Sequence, residues 1–319
     1  MYSDTSLFRF IKNSISTGHP ALKILMLFFG MFTFMLITTL VGNLGAFLIF
    51  HLSWQESVEM FSADFSHINP AVLKYFQAVQ SIGFFLLPGI FMPYLLFGNT
   101  SQQQAKNTWH QTILYLLILA TIVASIPVIS LLIEWNNQIV FPESLSGLEN
   151  SLKELEQKAN ELTNFLLSGT SVSQLLVNLL LIAVIPAIGE ELIFRRCIQS
   201  LLIDWIRNHH IAILITAIVF SAFHAQFYGF IPRLFLGLYF GYLFVWSGSI
   251  LTAVWAHFLN NSIAIILTFL ASSGEQGQIQ SFAEGGEFSV SVVVFAMLIT
   301  TVLVIVTQKI FRRTGFSTS

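Results

Sequence analysis

Two adjacent carboxylates, an arginine, two histidines and an asparagine fall inside stretches that are otherwise hydrocarbon. They lie in Gly189-Glu190-Glu191-Leu192-Ile193-Phe194-Arg195-Arg196, Phe220-Ser221-Ala222-Phe223-His224 and His257-Phe258-Leu259-Asn260-Asn261. Charged groups at membrane depth cost several kcal/mol each, and they persist where they pair around a functional cavity. Glu190 and Glu191 are neighbours, so on a helix they diverge by about 100° and cannot do the same job. Glu191 and Arg195 stand four apart, the spacing of an internal ion pair. Glu190 is then the carboxylate free to face His224. Burial would raise its pKa and a nearby cation would lower it, the opposed tuning that a general base needs. His257 and Asn261 are also four apart and share one face of a helix.

Singly, each of these residues has a bland reading as a packed, hydrogen-bonded helix residue. Arg196 reads as a helix-end charge, His209 and His210 as turn caps, and His19, His51, His67 and His110 as ordinary histidines at span ends or loops. Together the six reverse the odds toward function.

The elements that must position them are membrane helices. Apolar residues make up 55% of the 319, charged residues 9%, and mean hydropathy is +0.76, which excludes a soluble globule. A net charge of -2 without a basic face excludes a nucleic-acid partner. Cys197 is the single cysteine, which excludes intrachain disulfides and thiolate metal clusters. Apolar stretches of spanning length recur near 24–50, 71–97, 111–133, 173–205, 210–227, 229–246, 249–271 and 288–310. The first is too long for a signal-peptide core and reads as a retained span. None alternates as a barrel strand would, so the fold class is an all-α polytopic membrane protein of about eight spans. The fourth stretch carries Pro186 and Gly189, which can kink it.

Arg9, Lys12, Lys23, Lys106, Arg207, Lys309, Arg312 and Arg313 mark the cytoplasmic ends, with both termini inside. The connections 51–70 (Glu56, Glu59, Asp64) and 272–287 (Glu275, Glu284, Glu287) lack Lys and Arg and fall on the far side. The expected location is a bacterial cytoplasmic membrane. Four regions result: a three-span part over 1–134, a far-side loop over 135–170, a catalytic core over 171–271 and a final span and tail over 272–319. In the loop, Leu145, Leu148, Leu152, Leu155, Ala159, Leu162 and Leu166 recur at three and four, an amphipathic helix laid over the bundle.

Antiparallel folding about Arg207-Asn208-His209-His210 puts Glu190, seventeen residues before Arg207, and His224, seventeen after it, at equal depth. Both are about 25 Å from the turn if the helices are straight. His257, about 12 Å into the next outward helix, is shallower and requires a kink near Pro186 or helix tilt. Gly237 and Gly241 give the helix between them a G-x-x-x-G face for close approach.

The series Glu190-Glu191-x-x-x-Arg195, Phe220-x-x-x-His224, His257-x-x-x-Asn261 resembles the CAAX-protease and bacteriocin-processing (CPBP, or Abi) family of intramembrane endopeptidases, which includes the Ras-converting CAAX protease. The resemblance covers about 173–271, the four-helix core of that fold. It implies a peptidase in which Glu190 and His224 activate a water, His257 and Asn261 stabilise the oxyanion, and Glu191 and Arg195 support them. The implied substrate is a membrane-associated or amphipathic peptide, in CAAX-type processing, bacteriocin processing or self-immunity, with the bilayer as the other partner. Two readings of the cofactor stay open. Glu190, His224 and His257 would make a His2Glu zinc site, but no H-E-x-x-H helix is present and asparagine is a poor zinc ligand, so a metal-free mechanism is preferred. A proton-coupled transporter and a catalytically silent scaffold are the competing classes. The absence of an inverted repeat counts against the former.

Overall fold

The computed structural model describes residues 13–59, 68–97, 109–272 and 288–313. Arg9, Lys12, Asp64, His67, Lys106, Glu275, Glu284 and Glu287 fall outside them, and Glu59 and His110 are described in backbone only. The described residues contain helices and no strand. Among the described residues, seven helices are long and apolar enough to span a bilayer: α1 (Pro20–Phe50), α3 (Pro70–Leu96), α4 (Trp109–Asn137, apolar from Thr112), α6 (Val172–Ile206), α8 (Phe230–Ser247), α9 (Ile250–Ser272) and α10 (Val290–Arg313). Between them lie α2 (Trp54–Glu59), α5 (Ser146–Leu167) and α7 (His209–Ala222). The expected eight spans are thus seven plus one short helix. The 210–227 stretch is helical only to Ala222, and 14 residues reach about 21 Å against a hydrocarbon core of about 30 Å.

Two compact units divide the chain, Met1–Gln103 with Val184–Ala212 and Gln104–Ala183 with Ile213–Ser319. In the first, α1 begins at Pro20 with the His19 side chain accepting from the Ala21 N–H, and ends at His51 in the left-handed region, so both histidines serve as caps. Its outward face is hydrocarbon, including Phe29, Leu36 and Leu44, as a lipid-facing helix requires. The inward face packs on α3, where the Tyr75 hydroxyl donates to the Gly42 carbonyl at 2.8 Å. Both α3 and α6 contain π-helical turns, Ile82–Leu86 in the former and Leu192–Gln199 in the latter. Arg207, with φ of 59°, ends α6, and α7 restarts two residues on. The Asn208 side chain accepts from the His210 and Ile211 N–H groups, so Asn208 rather than the histidines caps this turn.

In the second unit, α4 packs along α10 and α8 along α9. Leu114, Ile118, Ile122, Phe240, Leu243, Ala256 and Phe311 form its core. A Cβ at Gly237 would sit 3.2 Å from the Ala217 Cβ and the Phe220 ring, so the small residue sets how closely α8 approaches α7. Helix α5 packs on α9 and on the first turns of α6. Its inward row is Leu152, Glu156, Ala159, Leu162 and Leu166, whereas Leu145, Leu148 and Leu155 are exposed. The expected apolar stripe therefore packs on one edge only, and a glutamate lies in the packed row.

Candidate active site

Each unit carries its own part of the polar constellation. In the first unit, Glu190 is 9% exposed and Glu191 and Arg195 are 0% exposed. Arg195 Nη1 donates to Glu191 Oε1 at 3.1 Å, the expected pairing across four residues. Gln199, one further step along, is also fully buried, a polar neighbour that sequence reasoning passed over. The helix can carry this cluster inside the unit because Gly189 has no side chain. A Cβ there would lie 2.9 Å from the Phe85 Cβ and 3.0 Å from the Leu86 backbone nitrogen. Removing either partner of a buried ion pair strands the other charge and costs about 3–5 kcal/mol.

In the second unit, the residue expected inside a span, His224, lies beyond the end of α7, in the connection 223–229, and is exposed. Apolar composition made Phe223, Phe227, Tyr228 and Phe230 look like helix, but at Ala225 the chain turns into the left-handed region at φ of 52°. That conformation costs an alanine about 1–2 kcal/mol and holds only where contacts impose it. His224 Nδ1 is 3.0 Å from the Phe220 carbonyl. A carbonyl only accepts, so Nδ1 carries the proton and Nε2 is the lone-pair nitrogen of the neutral ring.

Phe220 stands between the two histidines. Its ring centroid is 5.2 Å from that of His224 and 5.8 Å from that of His257, edge-on to both. His257 is 4% exposed and stacks on Phe240 at 5.2 Å and 18°. One turn on, Asn261 Nδ2 donates to the Ile182 carbonyl at 3.2 Å, and Asn261 Oδ1 accepts from Asn260 Nδ2 at 3.2 Å. Ile182 lies in the π-helical turn Leu179–Val184. An amide nitrogen has two protons, so this bond orients the Asn261 side chain and leaves a second donor.

Sequence reasoning missed the residues that hold the connection 223–229. Asn136, fully buried at the end of α4, donates from Nδ2 to the Phe227 carbonyl at 3.0 Å and accepts at Oδ1 from the Ile231 N–H at 2.9 Å. Glu156 of α5 accepts at Oε1 from Gln226 Nε2 at 3.1 Å and at Oε2 from the Tyr228 N–H at 3.2 Å. Arg233 Nη2 donates to Gln226 Oε1 at 2.8 Å. Ser221 Oγ donates to the Phe230 carbonyl at 2.7 Å, tying the end of α7 to the start of α8. No local pattern announces these contacts, since each of the Asn136 and Glu156 bonds spans at least 70 residues.

Residues 172–263 match a family model described as type II CAAX prenyl endopeptidase Rce1-like. That segment is similar to an Rce1-like domain. It begins at α6 and ends within α9, so it contains Glu190, Glu191, Arg195, His224, His257 and Asn261 and leaves α1 to α5 and α10 outside. The matched family is one of peptidases. Neither a curated protein nor a solved structure matches the chain. A zinc ion would need at least three ligands, but among the described residues no three His, Cys, Asp or Glu side chains converge.

Proposed function

We propose that the chain is an intramembrane endopeptidase that hydrolyses a peptide bond in a membrane-associated or amphipathic peptide. The observation that carries this reading is the burial of Glu190, Glu191 and Arg195 within a spanning helix of the Rce1-like segment. In this reading Glu190 and Nε2 of His224 take a proton from water. The hydroxide adds to the scissile carbonyl, and the second amide proton of Asn261 with the His257 ring receives the oxyanion. The proton held by the base then passes to the leaving nitrogen as the C–N bond breaks. Glu191 and Arg195 neutralise each other and fix the helix face from which Glu190 projects. CAAX-type processing, bacteriocin processing and self-immunity are the settings that this chemistry serves.

The test is cleavage of a panel of membrane-anchored peptides by purified protein. Glu190→Gln abolishes turnover with expression intact, while Glu191→Gln lowers stability and only part of the activity. Normal cutting by Glu190→Gln overturns the assignment of the base.

A further inference from the structure

We infer that Glu156 of α5 is a positioning residue for His224, so that the helix outside the Rce1-like segment sets the activity of the histidine inside it. The inference rests on the endopeptidase reading. His224 sits in a connection without regular structure and is followed at once by the left-handed Ala225. Its own fixed contacts, the bond to the Phe220 carbonyl and the ring of Phe220, come from the α7 side. What fixes the far side is Gln226 to Tyr228, and there Glu156 makes two bonds at once, one to a side chain and one to a backbone N–H.

The Gln226 amide is a bridge. Its NH2 end donates to Glu156, which can only accept, and its oxygen accepts from Arg233, which can only donate. Those partners define which way the amide points. Asn136 holds the next carbonyl, at Phe227, from α4. Of the three anchors, Asn136 and Arg233 belong to spanning helices, whereas Glu156 belongs to a helix that is mostly polar and exposed. Its inward position between Leu152 and Ala159 is what brings the carboxylate to the connection. Without Glu156, Gln226 loses its acceptor and the Tyr228 N–H its partner. The segment after His224 is then free to leave the left-handed turn, and the imidazole loses its direction while remaining present.

The experiment uses full-length protein and two readouts. Glu156→Ala is expected to lower kcat about 10- to 100-fold with KM within about twofold, the range seen when a supporting shell is removed. It also accelerates hydrogen exchange of the 223–229 segment at least about tenfold, leaving α8 and α9 unchanged. Glu156→Gln, which keeps one acceptor oxygen, recovers most of the turnover. Glu154→Ala, on the exposed face of α5, changes neither readout. Wild-type kcat in Glu156→Ala, or lowered kcat without faster exchange in 223–229, overturns the inference. If wild-type protein cuts no membrane-anchored peptide of the panel, the endopeptidase reading falls instead, and the exchange readout still reports whether Glu156 holds the connection.

Discussion

The two polar centres are built in opposite ways. In the first unit the ionisable groups bond along their own helix, Arg195 to Glu191 four residues back, and close packing at Gly189 seals them. In the second unit the bonds run between distant parts of the chain: Asn261 to Ile182, Asn136 to Phe227, Glu156 to Gln226. A sealed local pair is coupled to the integrity of the helix packing, since its charges have no water to fall back on. A connection held by several individual bonds opens more readily than packed helices do. Damage to the Glu191–Arg195 pair should therefore register as lost stability, and damage to the second centre as lost turnover in a folded protein.

The largest effect tests the first half of that contrast. Arg195→Met strands Glu191 in a fully buried position and is expected to destabilise the protein by about 3–5 kcal/mol, seen as loss of the folded form in detergent thermal-unfolding assays. Pairing it with Glu191→Gln removes both charges and should return much of the thermal stability. A single Arg195→Met that melts like wild type would mean that the pair is not sealed from water.

The second half is tested in the other unit. His257→Ala and Asn261→Ala are each expected to lower kcat about 10²–10³-fold, the scale of losing one oxyanion donor, with KM changed far less because the contact strengthens in the transition state. Activity should survive thorough chelation, with purified protein holding far less than one zinc per chain. Loss of activity on chelation, restored by zinc, would replace the donor pair with a Lewis acid. Equal losses of melting temperature in the Asn261 and Arg195 variants would erase the distinction between the two centres.

What was legible in the sequence follows the same division. The span boundaries, the Glu191–Arg195 pair and the common face of His257 and Asn261 are local features, and apolar run length and helical spacing reveal them. The end of α7 was not legible, because Phe223, Phe227, Tyr228 and Phe230 are as apolar as a helix and the break depends on bonds from Asn136, Glu156 and Arg233. The leucine pattern of α5 identified the helix, but not which edge packs. Leu148 and Leu155 face outward while Glu156 faces in, since a hydrogen-bonding partner elsewhere in the fold outweighs one stripe of hydrophobicity. Gly189 reads from the sequence as a kink residue beside Pro186, yet the constraint on it is the close packing of Phe85 and the Leu86 backbone.

The smallest expected effect on the fold concerns orientation. The positive-inside rule predicts both termini in the cytoplasm and α5 outside from the lysines and arginines, which requires an even number of crossings. Among the described residues seven helices have spanning length, so the parity depends on the crossing at α7. Its 14 residues supply about 21 Å, and the seven residues of 223–229 must cover the remaining 9 Å or so of hydrocarbon, within reach of an irregular chain anchored by Glu156 and Asn136. In a Cys197→Ser background, Ser151→Cys, on the exposed face of α5, should react with an impermeant maleimide on intact cells. Cysteines at Ser3 and Ser319 should react only after permeabilisation. None of the three should shift the melting temperature measurably. Reaction at Ser3 and Ser319 on opposite sides of the membrane would show that α7 and its connection do not complete a crossing.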